Sequence, residues 1–172
     1  MTADHNVPVV SLVGKSGVGK TTVLERVIRE IKRRGYKLGT VKHDTHGFEI
    51  DRPGKDSWRH ARAGSDAVAI SGPRKMALVR QLEEEIQLDD IIRMMGEVDL
   101  VITEGYKRGD KPKIEVTRLE RGTELLCEPD ELIGVMTDHP VDMDVPQFAL
   151  DDAEGIVDLL ERLYLRSTKT AI

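Results

Sequence analysis

Short apolar runs alternate along this chain with stretches whose apolar residues recur every three or four positions. The first kind predicts strands and the second helices. Val7 to Val13 is an almost unbroken apolar run, the pattern of a strand buried on both faces. Thr22 to Arg34 carries Val23, Leu24, Val27, Ile28 and Ile31 at helical spacing, and Gly35 ends it. Further strands are predicted at Lys37 to Lys42, Asp66 to Ser71, Lys75 to Arg80, Val98 to Thr103, Lys113 to Leu119, Leu132 to Met136 and Gln147 to Leu150. Helices are predicted at Lys55 to Ala63, Asp89 to Met95 and Asp152 to about Leu165. Asp151 and Glu154 suggest a capping box for the last of these.

Strands that alternate with helices imply an α/β fold with a mostly parallel sheet and helices on both faces. The nearly all-apolar run Val98 to Thr103 belongs at its centre. Asp66 to Ser71 and Lys75 to Arg80, joined by Gly72-Pro73, should pair as a hairpin. That hairpin and the alternating strand Lys113 to Leu119, with Ile114, Val116 and Leu119 as its apolar members, are expected to be sheet edges. No repeat or linker interrupts residues 1–172, so a single domain is expected, with residues 166–172 a frayed tail.

Composition narrows the partners. Twenty-six Lys and Arg against 31 Asp and Glu give a net charge of −5, which argues against a general nucleic-acid binder. Cys127 is the only cysteine, so no intramolecular disulfide or cysteine metal cluster is possible. No run approaches the ~18 apolar residues that cross a bilayer, and Met1 to His5 lacks the features of a signal peptide. A cytoplasmic protein with no membrane partner is expected.

The chemistry begins at Gly14-Lys15-Ser16-Gly17-Val18-Gly19-Lys20-Thr21, which fits G-x-x-x-x-G-K-[ST] at every fixed position. It lies between a predicted strand and a predicted helix, the context that a phosphate loop requires. Such a turn wraps backbone N–H groups around an anion at the positive end of a helix. The sheet is therefore expected to be of the P-loop NTPase type. Residues Gly14 to Thr21 would bind nucleotide phosphates, with Lys20 reaching the β/γ-phosphates and the Thr21 hydroxyl on a magnesium ion. Glu104, at the carboxyl end of the strand beside the phosphate strand, is the candidate second magnesium ligand, with the capping of a strand end as its alternative. Gly105 would let backbone approach phosphate closely. Asp99, at the opposite end of that strand, should be structural.

The polar loop His43 to Ser57 should open at the same sheet edge. Lys42 and Lys55 would bring positive charge, and Asp51 is a candidate to touch magnesium through water. His43, His46 and Asp51 are too loosely spaced to favour zinc. The guanine-reading signature N-K-x-D is absent, and Asp138 is the candidate base reader, with a turn-starting role as its alternative. No glutamine or arginine is recognisable as a stabiliser of a hydrolytic transition state, so slow turnover is expected.

Three blocks together resemble one family, the molybdopterin-guanine dinucleotide biosynthesis adapters. These are GKSGVGKTT, then GTVKH with FEIDRPGKDSWRHARAG, then DLVITEGYK with PKIEV, in order over roughly residues 8 to 117. The middle block is the most specific of the three. The resemblance implies a dimeric GTP-binding protein with weak hydrolysis that assists the guanylyltransferase joining GMP to molybdopterin. It places GTP on residues Gly14 to Thr22, Mg2+ at Glu104, and a conformationally variable loop at His43 to Lys55. Molybdopterin itself is left open as a ligand. A related class of dimeric phosphate-loop ATPases carries a lysine at the position of Lys15 that reaches the partner's nucleotide, whereas a plain loop lysine is the simpler reading here. The rival function is an ATP-dependent small-molecule ligase or kinase resembling dethiobiotin synthetase; that enzyme continues into a Gly-rich substrate loop where this chain has Tyr106-Lys107-Arg108.

Overall fold

A computed structural model describes residues 7–45 and 47–165. In chain order the elements are β1 (Val9–Val13), α1 (Lys20–Arg33), β2 (Leu38–Lys42), α2 (Asp56–Arg62), β3 (Ala67–Gly72), β4 (Lys75–Arg80), α3 (Leu88–Met94), β5 (Leu100–Glu104), β6 (Lys113–Val116), β7 (Leu132–Thr137), β8 (Gln147–Ala149) and α4 (Ala153–Leu160). The predicted tail at 166–172 lies outside the described residues. The rest clusters into two compact units, one up to His43 and again from Met94, the other Asp44–Arg93.

The first unit holds a six-stranded sheet in the order β2-β5-β1-β6-β7-β8, with every neighbouring pair parallel. Strand β5 lies inside the sheet, flanked by β2 and β1, as its apolar run predicts, although β1 and β6 hold the centre. One sheet face, through Val10, Leu12, Ile102, Ile114 and Met136, packs on α1 and α4. Helix α1 contributes Val23, Leu24, Val27 and Ile31, and α4 contributes Ile156, Val157, Leu159 and Leu160. Burying a side chain of this kind stabilises by roughly 1.5–3 kcal/mol, so this interface carries much of the fold. The two helices are also tied by Arg34, whose guanidinium reaches Glu30 on α1 at 2.6 Å, Asp158 on α4 at 2.6 Å and Glu161 just beyond it at 2.8 Å. Hydrogen bonds from Arg33 and Arg34 hold the Glu30 carboxyl down to about 2.

The cap of α4 falls one residue later than the sequence suggests. Asp152, not Asp151, accepts from the Gly155 backbone N–H, at 2.8 Å. The helix starts at Ala153, so only the residue immediately before it can reach the third N–H of the first turn. The C-terminal end of α4 widens into a single π-helical turn, Glu161–Leu165.

Strand β6 corrects a second expectation. It ends at Val116 and lies between β1 and β7, not at an edge. Leu119 falls outside it, exposed in a 3₁₀ turn, Leu119–Arg121. The alternation misleads because Lys113 and Glu115 face the second side of the sheet yet are fully buried. Lys113 donates to Glu131 at 2.6 Å and to the Gly109 carbonyl at 2.7 Å. Glu115 accepts from the backbone N–H groups of Leu126 and Cys127 at 2.8 and 3.1 Å. Buried charges are tolerated when they are paired in this way. Burial and the nearby Glu115 push the Cys127 thiol up to about 12, the state of an unreactive core residue.

The second unit contains α2, most of α3 and the antiparallel hairpin of β3 and β4, paired from Ala67↔Arg80 to Gly72↔Lys75. None of its described residues is buried. Phe48, Ile50, Ile70, Met76 and Leu78 are each more than half exposed. A cavity of about 600 Å³ lies between the hairpin and α2, lined by Phe48, Trp58, Val68, Ile70 and Val79 among others. The Arg62 guanidinium stacks 5.4 Å from the Trp58 ring.

Candidate functional site

The carboxyl end of β1 runs straight into the glycine loop, and the loop ends on the first turn of α1. Its geometry needs glycine where glycine occurs. Gly14 has φ 147°, and a Cβ there would lie 2.3 Å from the Val116 carbonyl oxygen. Gly17 and Gly19 also have positive φ, at 79° and 90°. Val18 between them is buried and anchors the loop in the core. Ser16, Gly17, Thr21 and Thr22 are exposed at the mouth.

Lys20 lies back across the loop, donating to the carbonyls of Gly14 at 3.0 Å and Lys15 at 2.9 Å. Its ammonium is held below the ordinary lysine range, first by burial and then by Lys107 and Lys42, while Glu104 pulls the other way. A cation crowded by cations at the positive end of a helix is an electrostatic setting that favours an anion. The Thr21 hydroxyl donates to Glu104 Oε1 at 3.0 Å. Parallel pairing brings this about, because β1 and β5 run side by side with Leu12 opposite Glu104. The two hard oxygen donors are of the kind Mg2+ prefers, and an ion held there would need further oxygen ligands. Among the described residues no group of three or more His, Cys, Asp or Glu side chains could hold a metal ion unaided.

Gly105 turns the chain out of β5 at φ 109°, with its N–H on the Leu12 carbonyl at 3.2 Å. The closeness comes from His43, whose Cβ would be 3.1 Å from a Cβ at Gly105. The His43 ring stacks on Tyr106 at 4.5 Å. Asp99, at the far end, accepts from the Lys37 backbone N–H at 2.6 Å, which is the structural role expected of it. Asp51 belongs to the second unit, where it accepts from the Arg52 N–H at 2.8 Å. His46 lies outside the described residues.

Asp138 follows β7 at the carboxyl edge, with its carboxylate turned to the protein. Oδ1 accepts from the Leu119 backbone N–H at 2.9 Å and lies 3.1 Å from His139 Nδ1, and Oδ2 is 3.8 Å from the Arg118 guanidinium. These contacts, the Leu119 N–H first, hold its carboxyl below the usual range.

Sequence reasoning missed two arginines here. Arg118 Nε donates to the Val18 carbonyl at 2.9 Å, and Arg121 packs against Gly17. The chain therefore does place arginine beside the phosphate loop. The signal was their position: both follow a parallel strand at its carboxyl end, where ligands gather in open α/β sheets.

A parallel sheet with this glycine loop, lysine and strand-end carboxylate defines an α/β fold of the P-loop NTPase type. Residues 9–138 match the MobB family, described as "Molybdopterin guanine dinucleotide synthesis protein B". The chain is 33% identical to the molybdopterin-guanine dinucleotide biosynthesis adapter protein of Haemophilus influenzae, covering 92% of this chain and 90% of that one. It is 32% identical to its namesake in Escherichia coli, covering 93% and 95%. The solved structure of molybdopterin-guanine biosynthesis protein B superposes with a TM-score of 0.70 at 30% identity, covering 90% of this chain and 99% of that one. The chain belongs to the MobB family of adapter proteins, and its place is in molybdenum cofactor biosynthesis.

Proposed function

We propose that this protein binds GTP with Mg2+ at the Gly14–Thr22 loop. In that state it assists the guanylyltransferase that joins GMP to molybdopterin. The observation that carries the reading is the Thr21–Glu104 contact at the mouth of a loop already crowded with Lys20, Lys42 and Lys107. The ammonium of Lys20 would leave the two carbonyls for the β/γ-phosphates, exchanging neutral acceptors for a charged one. Thr21 and Glu104 would hold the magnesium, which when bound neutralises phosphate charge. As the family resemblance implies, the isolated protein should turn GTP over slowly and act through its bound shape. The exposed apolar hairpin of the second unit supports a homodimer, and molybdopterin is a further candidate ligand.

Calorimetric titration with GTP and ATP, with and without Mg2+, tests the reading. Lys20→Ala should weaken GTP binding tenfold or more, since each ~1.4 kcal/mol of lost interaction is a decade. Thr21→Ala should lower mainly the magnesium-dependent part of the affinity. A Lys20→Ala protein that binds GTP like its parent would overturn the proposal.

A further inference from the structure

The turn Leu119–Arg121 is fastened to the phosphate loop from both sides. Lys15 Nζ donates to the Arg121 carbonyl at 3.2 Å, and Arg118 Nε donates to the Val18 carbonyl at 2.9 Å. On its other side the turn is held to the end of β7 by Asp138, through the Leu119 N–H. A turn pinned at these points through its backbone fixes where the Arg121 side chain leaves it. That side chain lies against the loop: its Nη2 and Cζ come within 2.7 and 3.2 Å of where a Cβ at Gly17 would be. Glycine at position 17 thus leaves room for a guanidinium as well as allowing the loop's positive φ.

Among the described residues the Arg121 guanidinium has no hydrogen bond or ion pair. Arg118 has Asp138 at 3.8 Å, whereas the carboxylates that neutralise other arginines of this unit, such as Glu30 and Asp158, lie on α1 and α4. An unpaired guanidinium held against the middle of a glycine loop at a helix N-terminus is an arrangement that an anion would stabilise. The planar fork of arginine suits phosphate oxygens, which it can grip with two parallel hydrogen bonds.

We propose that Arg121 is a nucleotide-binding residue that contacts the phosphate chain of the bound nucleotide from the β6 side, opposite Lys20 and Glu104. The proposal rests on the nucleotide reading above, and its test separates the two. The parent protein, Arg121→Ala, Arg121→Lys and Lys20→Ala are each titrated with GTP, ATP and inorganic tripolyphosphate, with thermal unfolding confirming that each variant is folded. Arg121→Ala should weaken all three ligands by about tenfold and flatten the salt dependence of binding. Arg121→Lys should restore only part of the loss, because an ammonium lacks the fork. If Arg121→Ala binds all three like the parent while Lys20→Ala does not, the role of Arg121 is refuted and the nucleotide reading stands. If Arg121→Ala weakens GTP and ATP but not tripolyphosphate, the side chain meets the nucleoside, and the phosphate contact is refuted. A parent protein that binds none of the three ligands overturns both.

Discussion

The two units of this chain use the same kinds of residue to opposite effect. In the first unit Val, Leu and Ile at strand and helix spacing meet across a sheet and two helices, and every buried apolar residue of the described chain is found there. In the second unit Ile70, Met76 and Leu78 sit on equally regular strands, yet remain more than half exposed. A two-stranded hairpin with one short helix has too few layers to close a core. The lesson is that regular local structure and burial are separable: the first unit is stable by its own packing, while the second presents an apolar surface that asks for a cover.

Core substitutions should separate the units most widely. Leu160→Ala removes a fully buried side chain from the α1–α4 interface and should cost about 2–5 kcal/mol in denaturant unfolding. Leu78→Ala, on the hairpin, should change stability by no more than about 0.5 kcal/mol in dilute solution. Equal costs would mean that the hairpin is already covered under those conditions. A second copy of the chain is the cover proposed above, so Ile70→Asp should shift concentrated protein from dimer to monomer in sedimentation. A parent that sediments as monomer throughout would remove the dimer.

A subtler contrast is the acid response of the first unit. Glu30 has its pKa depressed from 4.5 to about 2 by Arg33 and Arg34, so it binds protons more readily in the unfolded chain. Its contribution to stability is complete above pH 4.5 and drains away as the pH falls towards 2. Glu30→Gln should flatten the stability profile in that window, which urea melts across the range will show. An unchanged slope would deny the Glu30–Arg34 hub its role between α1 and α4. The smallest effect is expected from Asp138→Asn, because the new side chain can still accept from the Leu119 N–H. The preference for GTP over ATP should then stay within about twofold of the parent's. Lost discrimination with phosphate binding intact would make Asp138 the base reader.

Much of this protein was legible in its residues. Element types followed from periodicity, and the phosphate loop from a spacing whose every fixed position has a physical reason. The place of Glu104 at the end of β5 was legible because a buried strand ending in a carboxylate is a local pattern, and the structural role of Asp99 because it stands at the opposite end. The errors share a cause. Strand β6 looked like an edge because Lys113 and Glu115 alternate with Ile114 and Val116, and their partners Glu131, Leu126 and Cys127 lie many residues downstream. The shift of the cap from Asp151 to Asp152 turned on where one helical turn begins.

The sequence by itself determined the elements, the glycine loop between strand and helix, and the family, because periodicity, turn chemistry and motif spacing act over a few residues at a time. Only the tertiary structure decided the strand order and the burial of two charges in β6. It alone brought Arg118 and Arg121 to a loop about a hundred positions earlier in the chain. Those are pairings between distant segments, set by which faces exclude water together, and no local stretch of residues carries that information.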